Sequence, residues 1–208
     1  MKVYDLTHTI ANDMPVYPGT EQPRLTTACT IDEVGYRETL LHMFSHTGTH
    51  MDAPAHMLRQ GAALDSYPAD KFIGVAQAVD CRGESAITLP LLKNQDLQGV
   101  DFVLFCTGWD KKWGTPDYFR DFPCLTPEAA AYLAALPLKG VGEDSISLDP
   151  CESTDFPNHL TLLGADLVNT ENLTGLEALL GRRFTFVTLP LKLENADGCS
   201  CRAIAMED

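Results

Sequence analysis

Apolar and polar positions alternate loosely over residues 3–10, the two-residue period of a strand with one face buried. Residues 12–23 break that pattern with three prolines, Gly19 and a Tyr17-Pro18-Gly19 turn, and predict a loop. Thr, Leu and aromatic residues dominate 24–32 and 36–46, which predict two strands joined by a turn near Glu33-Val34-Gly35. Apolar runs at 72–81 and 102–106 predict buried strands. Thr126-Pro127-Glu128 opens a helix through Leu136, with a threonine cap, a proline in the first turn and an acid at the positive end of the dipole. Strands near 139–143 and 166–169 follow, each leading toward a short helix, and apolar runs at 184–193 and 201–206 complete the pattern. Interspersed strands and helices, with strands in the majority, predict an α/β fold around a largely buried sheet or barrel.

Composition narrows the picture. The 208 residues, 45% of them hydrophobic, suit one well-cored domain, and no repeat, low-complexity tract or linker divides 1–208. No apolar run approaches membrane-spanning length, and the start reaches Asp5 too early for a secretory signal, so a cytoplasmic protein is expected. A formal charge of −14 argues against nucleic acid and against an anionic membrane surface as partners. The seven cysteines contain no C-x-x-C pair and read as buried, reduced thiols, none of them a nucleophile.

The candidate chemistry lies in Ser45-His46-Thr47-Gly48-Thr49-His50-Met51-Asp52-Ala53-Pro54-Ala55-His56, which holds three of the six histidines. His46, Gly48, His50, Asp52, Pro54 and His56 occupy every second position, so an extended segment would turn them all one way. Residues two apart in a strand are separated by ~6.6 Å, so His50 and Asp52 could share one ion. His46 and His50 would stand ~13 Å apart, against metal–nitrogen bonds of ~2 Å, so the segment must bend, and Gly48 sits at the midpoint. Pro54 excludes a continuous helix, leaving a strand end that runs into a bent loop. This is not the H-E-x-x-H helix of zinc proteases. His159, at an apparent helix start, and Glu171, where a strand gives way to a loop, are candidates to complete the site, although each alone reads as structural. His42 shares the parity of the run and is expected in the core or behind the donors, and His8 is expected to be structural. Asp144, Ser147 and Asp149, on a loop after a strand, either line the site or form turn hydrogen bonds, with the turn reading favoured, and Trp109 and Trp113 either wall a pocket or pack, with packing favoured.

With these residues the sequence resembles the cyclase-like family of metal-dependent hydrolases, which includes bacterial kynurenine formamidases and isatin hydrolases. The signature H-x-G-T-H-x-D-x-P-x-H is complete from His46 to His56. The likeness extends to Pro15-Val16-Tyr17-Pro18-Gly19, Asp144 to Pro150, the His159/Glu171 spacing and Leu189-Pro190-Leu191. It implies a single compact α/β domain whose mixed central sheet closes into a barrel-like core with flanking helices. It also implies two divalent cations per subunit, with zinc foremost and manganese second: His46, His50 and Asp52 on one, Asp52 and Glu171 bridging to another completed by His159. His56 is then the catalytic acid–base residue. The implied reaction is hydrolysis of an amide C–N bond in a small aryl formamide such as N-formylkynurenine, by a homodimer or homotetramer with the Tyr17 loop near a neighbouring active site. A cyclic amide of the isatin type, or a cyclase reaction, is the alternative substrate reading, and a non-catalytic metal-binding protein the alternative class. Two departures stand out. Tyr17 takes the place of the tryptophan that packs on substrate in kynurenine formamidases, and Asn158-His159 replaces their double histidine.

Overall fold

The computed structural model describes residues 1–207. Its strands are β1 (Lys2–Asp5), β2 (Arg24–Cys29), β3 (Glu38–His42), β4 (His50–Asp52), β5 (Ile73–Asp80), β6 (Ala86–Ile87), β7 (Phe102–Cys106), β8 (Cys124–Leu125), β9 (Gly140–Glu143), β10 (Val168–Glu171), β11 (Arg183–Pro190) and β12 (Gly198–Glu207). Its α-helices are α1 (Ile31–Val34), α2 (Leu89–Lys93), α3 (Pro127–Ala134) and α4 (Pro157–Gly164).

Strands β5, β7, β9 and β10 are parallel neighbours, the arrangement that buries both faces of a strand, and every residue of β7 is buried. Antiparallel β11, β12 and β4 connect β5 back to β10 and close a seven-strand mixed barrel. Closure depends on the length of β12. Its Gly198–Ser200 stretch pairs with β4, while its far end pairs with β1 along the same edge.

The two-residue period then sorts side chains to two faces. Phe102, Leu104 and Cys106 join Met51, Phe186, Cys199 and Cys201 in the barrel interior. Val103, Phe105 and Val141 point outward and pack under Leu133 of α3 and Leu162 of α4. Because Met51 and Val168 belong to the interior, their neighbours His50, Asp52, Asn169 and Glu171 face the outer side, toward α4.

The helix predicted from Thr126 forms, with the Thr126 hydroxyl accepting from the Ala129 N–H, and it ends at Ala134. Three expectations need correction. The bend in the donor run precedes its strand rather than following it. The turn between β2 and β3 contains the short helix α1. The hairpin β2–β3 packs on no other element closely, and every residue of β3 is exposed, so His42 is in no core. The small β6–β8 pair and α2 were not foreseen. Among the described residues all seven cysteines are free thiols, and no helix is long and apolar enough to cross a membrane.

Candidate metal-dependent active site

The chain enters β4 through Gly48, whose φ of +66° is left-handed and open to glycine at low cost. The bend swings His46 back so that its Nδ1 lies 2.7 Å from Asp52 Oδ1. His50 Nε2 is 3.3 Å from the same oxygen and 3.5 Å from Glu171 Oε2, its register partner on β10. His159, in the first turn of α4, brings Nε2 to 3.1 Å from Glu171 Oε1 and 3.6 Å from Asp52 Oδ2. Donor atoms of His46, Asp52 and His56, and of His50, Asp52 and Glu171, form two groups within 4.8 Å, with Asp52 in both.

Each of the three rings around Asp52 is anchored through its other nitrogen. His50 Nδ1 faces the Gly48 carbonyl at 2.8 Å, His159 Nδ1 faces Asp149 Oδ2 at 2.7 Å, and His46 Nε2 faces Asp197 Oδ2 at 3.1 Å. Such acceptors fix the ring tautomer and leave the inward nitrogen as a ligand atom. Asn172 Nδ2 also donates to the Gly48 carbonyl, at 3.0 Å, so the end of β10 braces the hinge.

The local field favours positive charge. Burial works against protonated His46, but Asp52 and Asp197 outweigh it and push its pKa up to about 9. Burial likewise opposes His50 and His159, yet Asp52 and Glu171, with Asp149 for His159, raise both. Burial disfavours ionised Asp52, but His159, His46 and His50 hold its carboxyl well below the usual range. A site that draws protons onto three imidazoles will also draw a divalent cation, and nitrogen and carboxylate donors suit one. The residues present therefore fit the metal that the donor pattern implies.

His46, His50, Asp52, His56, His159 and Glu171 all line one cavity of about 390 Å³, within the range of small-molecule sites. Tyr17 lines it too, on its own chain's cavity, and its hydroxyl donates to the Cys151 carbonyl at 3.3 Å. Ser147, Phe44, Ile146 and Phe156 add to the wall. Trp109 and Trp113 sit in the aromatic cluster that includes Tyr17 and do not line the cavity, and Trp113 stacks on His8 with centroids 3.9 Å apart. Asn158 is structural, its amide donating to the Leu125 and Leu148 carbonyls at 3.0 Å each. Asp144 is a buried turn acceptor for the Thr107 and Gly108 N–H groups and the Thr107 hydroxyl.

Sequence reasoning missed Asp197 and the amide of Asn172, and it placed Asp149 among turn residues. Asp149 does cap backbone, accepting from the Asn158 and His159 N–H groups, while it also orients a ring of the site.

Known proteins resemble this chain over nearly its whole length. The kynurenine formamidase of Salinibacter ruber is 33% identical over 98% of this chain and 97% of its own. A solved structure described as a potential metal-dependent hydrolase with cyclase activity is 33% identical, with a TM-score of 0.84 over 100% of this chain and 99% of its own. Isatin hydrolase A from Labrenzia aggregata is 27% identical, with a TM-score of 0.88 over 99% of this chain and 93% of its own. A family model described as "Putative cyclase" matches residues 4–150, and the chain belongs to that cyclase family of metal-dependent hydrolases.

Proposed function

We propose that the protein is an amidohydrolase that cleaves an aryl formamide of the N-formylkynurenine kind. The observation that carries this reading is Asp52, whose Oδ1 faces His46 and His50 and whose Oδ2 faces His159, on the wall of a substrate-sized cavity. The full length likeness to kynurenine formamidase supports the substrate, which would give the protein a place in cytoplasmic tryptophan breakdown. The likeness to isatin hydrolase A supports a cyclic amide as second reading.

His46, His50 and Asp52 would hold one divalent cation, and Glu171 and His159 with Asp52 a second, with zinc the first choice and manganese the next. When bound, such cations polarise a carbonyl and acidify water toward neutrality. The chain's residues do the rest. Tyr17, Phe44 and Phe156 give an aromatic acyl amide an apolar wall and keep water off its flank. His56 is half-buried in the cavity, and burial holds its pKa below the ordinary histidine value, with Asp52 opposing. Its ring is therefore neutral near pH 7, free to accept a proton and pass it to the departing nitrogen. His56→Ala should suppress turnover by roughly 10²–10⁴-fold while leaving bound metal in place.

The 1–208 span acts as one unit in this reading, and the exposed Leu40, Leu41 and Phe44 at 61%, 55% and 53% support a homodimer or homotetramer. Light scattering of the purified protein reads that state. The function is tested by metal analysis of the purified protein with a spectroscopic screen of N-formylkynurenine, simple aryl formamides and isatin. Absence of both bound metal and hydrolysis in reconstituted samples would reject it.

A further inference from the structure

Asp197 lies in the loop between β11 and β12, 151 residues from His46, and its side chain meets three groups of the donor run. Its Oδ2 is 3.1 Å from His46 Nε2 and 3.7 Å from His56 Nδ1, and its Oδ1 accepts from the Ser45 hydroxyl at 3.2 Å. The backbone there is pinned. The Ala53 N–H donates to the Asp197 carbonyl at 2.9 Å, and the Leu64 N–H to the Ala196 carbonyl at 2.9 Å.

The next residue supplies an independent observation. A Cβ on Gly198 would stand 2.3 Å from His46 Cε1 and 2.6 Å from His46 Nε2, a separation no side chain tolerates. The bare backbone of Gly198 is the floor on which the His46 ring lies, and Asp197 is the wall at its outer nitrogen. The His46 and His56 rings lie side by side, with centroids 4.0 Å apart.

We propose that Asp197, with Gly198 beneath the ring, is a positioning residue that keeps the proton of His46 on Nε2 and aligns His56 beside it. The proposal rests on the reading of His46 as a metal ligand and His56 as acid–base. His46 offers Nδ1 beside Asp52 only if the proton resides on Nε2, and an acceptor-only carboxylate at 3.1 Å holds it there. The same oxygen faces Nδ1 of His56, which leaves Nε2 of that ring for substrate. One carboxylate thus bonds a metal-holding ring and stands 3.7 Å from the proton-transferring ring.

The test compares wild type, Asp197→Ala and Asp197→Asn, each checked for folding by circular dichroism. Zinc affinity is read by competition with a chromophoric chelator, and kcat and KM on an aryl formamide are read at saturating zinc. Asp197→Ala should bind zinc about 10–100-fold more weakly. At saturating zinc it should lose kcat with little change in KM, and Asp197→Asn, which keeps an acceptor oxygen, should recover most of the affinity. Wild-type affinity together with wild-type kcat in Asp197→Ala would overturn the proposal. If the alanine variant does not fold, long-range ¹H–¹⁵N spectra of zinc-loaded wild type decide. The proton should be on His46 Nε2 and on His50 Nδ1, and a proton on His46 Nδ1 overturns the proposal. A wild type that takes up no zinc would reject the underlying metal reading, a result distinct from variants that match a zinc-binding wild type.

Discussion

Three histidines around one carboxylate look interchangeable in a sequence, but in the fold each has its own outer acceptor. Asp149 is the clearest case, because one side chain accepts from the His159 ring and from two N–H groups at the start of α4. Asp149→Ala would leave those donors unpaired in a buried place, at a cost on the order of 2 kcal/mol. For a chain of this size, scanning calorimetry should record a Tm lower by roughly 4–8 °C. Zinc affinity should fall about 10–100-fold, and unchanged affinity would show that His159 needs no outer acceptor. Asp144 gives a second residue-scale expectation, away from the donors. Burial lifts its pKa from an ordinary 3.8 to about 6, against three bonds from Thr107 and Gly108 that favour the anion. With the folded value raised, its contribution to stability is complete below pH ~4 and is lost as pH rises through ~6. A carboxyl ¹³C titration of Asp144 with its midpoint near 6 would bear this out, and a midpoint below 4 would show that the three donors outweigh burial. The donor run was legible because its members are contiguous at one parity. Asp197 was not, since its meeting with His46 spans most of the chain and only the closed sheet creates it.

At the scale of elements, the loop and strand from Ser45 to Asp52 show how far spacing arithmetic reaches. The need for a bend between His46 and His50, and its place at Gly48, follow from strand geometry alone. The order of bend and strand does not, because β4 has only three residues and forms by pairing with β10 and β12 on its two sides. Among the strands built from apolar runs, β7 was legible to the residue and β5 to within one residue at each end, since burial writes itself into composition. The hairpin itself was legible, but the place of His42 was not, because a Thr and Leu pattern is strand-like whether or not anything covers it. Gly48→Ala isolates the hinge. A side chain at φ +66° costs about 1–2 kcal/mol, and the new Cβ would approach Met14 Cε at 3.1 Å. The Gly48 carbonyl also holds His50 Nδ1 and the Asn172 amide, so local strain should reach the donors. Thermal unfolding should show a loss of roughly 2–8 °C, with weaker zinc binding alongside it. Lost stability with intact zinc affinity would mean that the hinge can shift without moving the rings.

For the whole molecule, barrel closure sets where charge can reside. The interior is apolar, and parity directs Asp52, Glu171 and Glu143 to the opposite face, where they are nonetheless almost fully buried. Burial and the neighbouring Glu171 raise the Glu143 pKa well above its ordinary range, while the histidines around Asp52 hold its carboxyl well below. The sequence could present these acids only as members of a chain with charge −14. Their concentration beside one end of β10 is a product of the seven-strand ring. Buried carboxylates are costly unless positive charge meets them, so a cation that binds the folded chain and not the unfolded one should stabilise it strongly. At free zinc about 1,000 times its dissociation constant the gain is ~4 kcal/mol. For about 200 residues that corresponds to a Tm roughly 8–16 °C above chelator-treated protein. Replacing His50 and Glu171 together should cut the increment sharply, because His50, Asp52 and Glu171 then no longer form a donor group and only His46 and His159 still face Asp52. A wild-type Tm indifferent to zinc and to chelator would mean that protons alone neutralise the cluster, and that the fold was not shaped around a metal.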